Sequence, residues 1–285
     1  MTGTELMELD DFGAMAKAFR NDEVESLMEM TGQGAVQERV GLPRLGINYD
    51  TETDDGRSLV RGTWKIFHNG EMIYADDVVV RPLLRTFEYS LWDAEMNEGR
   101  GGFSAKSVQK TSFGGQFPDS AGGSKCGRLT RDEENGLDKD DPAYINSRAV
   151  VCNQVIYGRI TGEFKNADGN VVAMDNEPMI AYFKRSGYRP VNDFIQKQLT
   201  DRKILMHKAL IEFTTEKQKN GGVIYWTPKL SFVKEVSGTD TDKALMKDFG
   251  DTVNAHNEFV FTEYKNAQKS MNSADDIDLT ARLAG

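Results

Sequence analysis

The sequence predicts a mainly β protein with appended helices, its strands curled into a small, partly open antiparallel barrel that carries long insertions. Three observations lead there. Apolar residues alternate with polar ones over most of residues 42–235, the two-residue period of a half-buried strand. Asn69-Gly70 and Asn220-Gly221-Gly222 sit between such runs, and Asn-Gly tolerates the positive φ values that tight hairpins require. Helical spacing is confined to the two ends of the chain and to one short stretch between strand blocks.

Taken in order, residues 1–40 read as an N-terminal helical segment. Leu9, Phe12, Met15, Phe19, Leu27 and Met30 share a face, and Gly32-Gln33-Gly34 ends it. Leu45, Ile47 and Tyr49 open the β region, and Leu59 to Phe67 forms the next strand. After the turn at His68-Asn69-Gly70, Met72 to Arg81 returns, and Pro82 argues against a continuing central strand. Thr86 to Trp92 follows. Residues 97–147 are rich in glycine, serine and charge, and read as a long flexible insertion. Arg148 to Lys165, Val171 to Met174 and Pro178 to Lys184 resume the strands. Pro190 to Lys203 suits a short helix, His207 to Thr215 and Val223 to Val233 a second hairpin, and Thr239 to Met271 a C-terminal helix. Residues 272–285 read as an acidic tail. An OB-like barrel spanning 41–235 accounts for this layout economically, with a β-sandwich as the competing architecture.

The net charge of −10 is unevenly spread. Residues 1–40 carry −6 and residues 236–285 carry −4, while 181–235 holds 11 basic and 5 acidic residues. A local basic stretch inside an acidic chain is compatible with phosphate contact, for which distribution matters more than the total. Two distant cysteines, Cys126 and Cys152, suit a reducing compartment, and a cytoplasmic protein is expected. No apolar run is long enough to span a bilayer. The P-loop, dinucleotide-binding, zinc-protease and nucleophile-elbow motifs are absent, and no cofactor or metal is expected. The one catalytic alternative is a Mg²⁺-dependent nuclease built on Pro118-Asp119 and Glu163-Phe164-Lys165.

Cations interleaved with rings form the strongest chemical signal. Strand alternation puts Arg61, Thr63, Lys65 and Phe67 on one face, opposite Trp64 and Ile66. Tyr157 with Arg159, Arg81 with Arg85, and the cluster Lys184, Arg185, Tyr188 and Arg189 repeat the mixture. Tyr225 lies opposite Trp226 in the second hairpin. Such sets suit a single-stranded nucleic acid, since cations neutralise phosphates and an exposed ring stacks on any base. Arg61, Lys65, Arg81, Arg85, Arg159, Lys184, Arg185 and Arg189 are the expected phosphate contacts, and Phe67, Tyr157 and Tyr225 the expected stacking rings.

In Leu42-Pro43-Arg44-Leu45, Gly62-Thr63-Trp64-Lys65-Ile66, Lys125-Cys126-Gly127-Arg128-Leu129 and Val155-Ile156-Tyr157-Gly158-Arg159-Ile160, with the strand–helix–hairpin layout of 178–233, the chain resembles bacteriophage OB-fold single-stranded DNA-binding proteins. The resemblance implies sequence-tolerant coating of single-stranded DNA during replication or recombination, without a cofactor. It also implies contact with replication proteins through an acidic C-terminus, here Asp275, Asp276 and Asp278. The end, Ala281-Arg282-Leu283-Ala284-Gly285, departs from that pattern by carrying a cation and no terminal aromatic. A different class, a phage structural or host-interaction protein using residues 97–147 and the terminal helices, is the competing reading.

Overall fold

The computed structural model describes the backbone of residues 41–283 and the side chains of residues 41–270. The expected N-terminal helix lies outside the described residues, as do the side chains of Asp275, Asp276 and Asp278. The described chain is mainly β. Nine strands form one sheet: β1 (Arg44–Ile47), β2 (Trp64–His68), β3 (Glu71–Ala75), β4 (Val78–Asp93), β5 (Gly102–Lys106), β6 (Val151–Lys165), β7 (Val171–Lys184), β8 (Ala209–Asn220) and β9 (Val223–Glu235). The sheet order is β3-β2-β1-β7-β6-β4-β8-β9, with β5 on β4. A further pairing, Tyr74 opposite Lys165, brings β3 back against β6.

The sheet is mixed, which corrects the all-antiparallel expectation. β1 runs parallel to β7, with Arg44 opposite Ile180 and Leu45 opposite Ala181. More than 120 residues separate these strands, so no hairpin places them side by side and the pairing had no local signal. Where turn chemistry is local, the expectation holds. Asn69 (φ 48°) and Gly70 (φ 88°) make the β2–β3 turn in the left-handed region.

β4 runs unbroken through Pro82, against expectation. The pairing with β6 shifts register between Pro82 and Leu84, so the missing N–H falls at a bulge. Gly158, opposite Pro82, makes this possible: a Cβ there would overlap the Arg81 carbonyl oxygen and lie 3.0 Å from the Pro82 Cα. Gly158→Ala should therefore destabilise the protein by about 1–3 kcal/mol, read as a lower urea midpoint. An unchanged midpoint would mean that the bulge has slack.

Residues 97–147 are not one structureless loop. β5 pairs with β4, Lys125–Gly127 forms a 3₁₀ turn, and two short helices follow, α1 (Arg131–Asn135) and α2 (Pro142–Ala149). α1 is held by a capping box between Thr130 and Glu133, and α2 by Asp141 at its cap with Pro142 in the first turn. Val108, Phe117 and Cys126 from this segment are buried with Phe87 and Tyr89 of β4. Glycine and charge disguised a segment that nevertheless buries Ala105, Val108, Phe117 and Cys126, while Phe103, Phe113 and Ile145 stay exposed.

The main core gathers side chains of β2, β3, β6 and β8, where Trp64, Ile66, Ile73, Ile160, Phe164 and Phe213 are essentially fully buried. β7 leads through a 3₁₀ turn, Arg185–Gly187, into α3 (Tyr188–Phe194), which continues as a π-turn over Ile195–Thr200. The final helix, α4 (Asp240–Leu283), extends through the residues expected to form a tail. Its Phe249 and Val253 cover Tyr157, Val155 and Leu83 on the outer face of β4 and β6.

Among the described residues, no helix is long and apolar enough to cross a membrane.

Candidate nucleic-acid interface

A cleft of about 570 Å³ opens where the far ends of β4 and β6 meet the 110–130 loop, α2 and the corner after β7. Lys125, Arg128, Arg148, Arg185 and Arg189 line it together with the rings of Tyr89, Phe113 and Tyr188, and no lining residue is acidic. Phe113, half exposed, meets Phe87 edge-on at 5.1 Å. The Lys125 ammonium stands 6.0 Å from the Tyr89 ring centre. Burial pushes the Tyr89 phenol up to about 12, so the ring stays neutral at physiological pH.

The loop is held in a costly shape. Lys125 and Cys126 both have φ of 55°, and Gly127 has φ of 81°; left-handed non-glycine residues persist only where their surroundings impose them. Asp119, 1% exposed, does so: its carboxylate accepts hydrogen bonds from the backbone N–H of Ala121, Gly123 and Cys126, the last at 2.7 Å. Three carboxylates stand just outside the lining. Glu134 lies 3.6 Å from both Arg128 and Arg148, Asp193 lies 3.4 Å from Arg189, and Glu133 is within electrostatic reach of Lys125. Arg185 has no ion-pair partner among the described residues, and a net positive excess remains in the cleft.

A second cleft, about 410 Å³, lies across the same corner. Arg44 of β1 stacks 4.5 Å from the Tyr182 ring centre. Lys65 and Phe67 project from the outer face of β2, as strand alternation requires; Phe67 is 54% exposed, whereas Lys65 is paired with Asp50 at 2.6 Å. Lys184 enters from the end of β7, and Trp226 from β9. Trp226 is fixed by an edge-on contact with Tyr49, whose hydroxyl donates to the Trp226 carbonyl at 2.9 Å. Gly62, at φ +85°, leaves the space that the Trp226 indole fills.

The structure thus divides the expected residues. Arg185 and Arg189 enter the first cleft; Lys65, Phe67 and Lys184 enter the second. Four others are corrected. Arg81 is buried and bonded to Asp242 at 3.0 Å, to the His207 carbonyl and to the Ser237 carbonyl. Arg159 turns to Asp242 and the Asn176 carbonyl. Arg85 donates to Gln154 and Asn192 and lies over the Phe87 ring, where burial pulls its pKa down. Tyr157 is sealed beneath Phe249, its hydroxyl donating to Gln109 at 2.9 Å. These misassignments share a cause: α4 and α3 cover faces of β4 and β6 that a strand pattern alone leaves open. Arg61 sits in the turn before β2, and Tyr225 lines neither cleft, its place being taken by Trp226.

The nuclease pair is not brought together. Asp119 is engaged by its own loop, and Glu163 lines a different cleft beside Tyr74 and Asn166. Among the described residues no three His, Cys, Asp or Glu side chains are grouped to hold a metal. Residues missed from the sequence, Phe113, Lys125, Arg128 and Arg148, all come from or adjoin the segment read as an insertion; the basic Lys125–Arg128 turn was its one visible signal.

No family model, curated protein or solved structure matches the chain.

Proposed function

We propose that the first cleft binds single-stranded DNA without strong sequence preference, protecting exposed strands in replication or recombination. The observation that carries this reading is the convergence of five cations and three rings on one cleft without a lining carboxylate, in a chain of net charge −10. Rings stack on any base and cations follow the backbone, so the arrangement grips a strand while reading little of its sequence. The capped, hydrogen-bonded loop presents Lys125 and Arg128 in place before binding, which limits the ordering cost.

Fluorescence anisotropy of the full chain against labelled oligo-dT, a matching duplex and a single-stranded RNA tests it. The single-stranded DNA should bind more tightly than the duplex. Log affinity should fall with log salt at a slope of about −2 to −3.5, the value for three to five phosphate contacts on a single strand. Equal affinity for duplex, or salt-independent binding, would reject the groove.

A second reading, a surface for another protein, draws on Phe259 and Phe261, which are 64% and 43% exposed on α4. Deleting the exposed rings (Phe259→Ser with Phe261→Ser) would then abolish partner capture and leave no DNA binding to measure in either form.

A further inference from the structure

The geometry points to one continuous track: a strand held in the first cleft crosses the corner Lys184–Arg189 and occupies the second cleft, where Phe67 and Trp226 stack bases and Arg44 and Lys184 meet phosphates. This rests on the single-strand reading above and extends it to the path and length of the bound segment.

The corner divides its side chains between the clefts. Lys184, Ser186 and Gly187 line the second, while Arg185, Tyr188 and Arg189 line the first. Arg185 has φ of 50°, a left-handed conformation that non-glycine residues rarely take. The kink lies at the point where neighbouring side chains part. The two clefts therefore share a wall six residues long, and a chain leaving one over this wall enters the other.

Charge marks the same route. Neither cleft has an acidic lining residue. Arg44, Lys184 and Arg185 stand close enough that, besides burial, the two arginines push the Lys184 pKa down. Crowded cations repel, and a bound polyanion removes that repulsion along the line joining the clefts. Lys65 is already paired with Asp50, so Arg44 and Lys184 are the cations available there. Phe67 completes the case. Its ring contributes nothing to the core and stands on the outer face of β2 within a cationic cleft, the placement a stacking platform needs.

The test is a length series, dT4, dT8, dT12 and dT16, titrated into the full chain at low salt. Affinity should climb steeply until the oligomer covers both clefts, at about eight nucleotides, and then level off. The double variant Arg44→Ala, Phe67→Ala removes two exposed side chains, and an unchanged urea midpoint confirms that it folds. It should bind dT12 about ten-fold more weakly and dT4 as the parent does. Undiminished dT12 binding would overturn the track, and so would an equal loss for dT4 and dT12, which would put the whole site in the second cleft. Failure of every oligomer to bind would overturn the underlying single-strand reading as well, so the two failures are distinct.

Discussion

Replacing Asp242 with alanine should cost about 3 kcal/mol of stability at neutral pH, because it strands the buried Arg81 guanidinium without its counter-charge. Asp242 is only a few per cent exposed and faces Arg81 at 3.0 Å and Arg159 at 3.3 Å. The same carboxylate accepts from the N–H and hydroxyl of Thr239, while the Asp242 backbone N–H donates to the Thr239 hydroxyl, which caps α4. Burial by itself raises the Asp242 pKa; the Thr239 hydrogen bonds, Arg81 and Arg159 outweigh it and hold the carboxyl below the ordinary aspartate range. A carboxyl depressed on folding contributes in full above its unfolded value of about 4 and loses that contribution as pH falls through the folded value. Urea midpoints of the parent and Asp242→Ala should therefore differ most near pH 7 and converge toward pH 3. A gap constant from pH 7 to pH 3 would mean that the charge contributes nothing and that only shape was lost. The consequence reaches the clefts, since α4 packs on the β4 and β6 strands whose far ends carry Tyr89 and Cys152.

Reversing two cations of the first cleft, Lys125→Glu with Arg185→Glu, should weaken single-strand binding by about a hundred-fold at low salt, with a smaller loss as salt rises. Neither residue has a side-chain ion pair among the described residues, so the fold should keep its urea midpoint. Net charge changes too, which by itself slows association. Lys217→Glu with Lys219→Glu, exposed on β8 and outside both clefts, makes the same change in total charge and serves as the comparison. A large loss in the first pair and a small one in the second would locate the interaction. Equal losses would reduce the effect to overall charge and remove the cleft from the reading.

Much of the sheet was legible because strands announce themselves locally. Trp64 and Ile66 inward with Lys65 and Phe67 outward follows from a two-residue period. Asn69-Gly70 and the hairpin joining β8 to β9 follow from turn chemistry. The candidate site was legible only in part. Lys184, Arg185, Tyr188 and Arg189 stood together in the sequence and stand together at the corner, though on two sides of it. Arg81 and Tyr157 looked equally eligible, and nothing within ten residues of either signals the helix that buries it.

Strand identity, turn positions, the basic character of 181–235 and the helical C-terminus reside in residues a few places apart, where backbone sterics and hydrophobic period act directly. The parallel pairing of β1 with β7, the covering of β4 and β6 by α4, and the meeting of Lys125, Arg148 and Arg185 around one cleft join residues separated by dozens of positions or more. Such contacts follow from which apolar faces bury together once the whole chain is folded, and long-range burial leaves no periodic mark on the segments it unites.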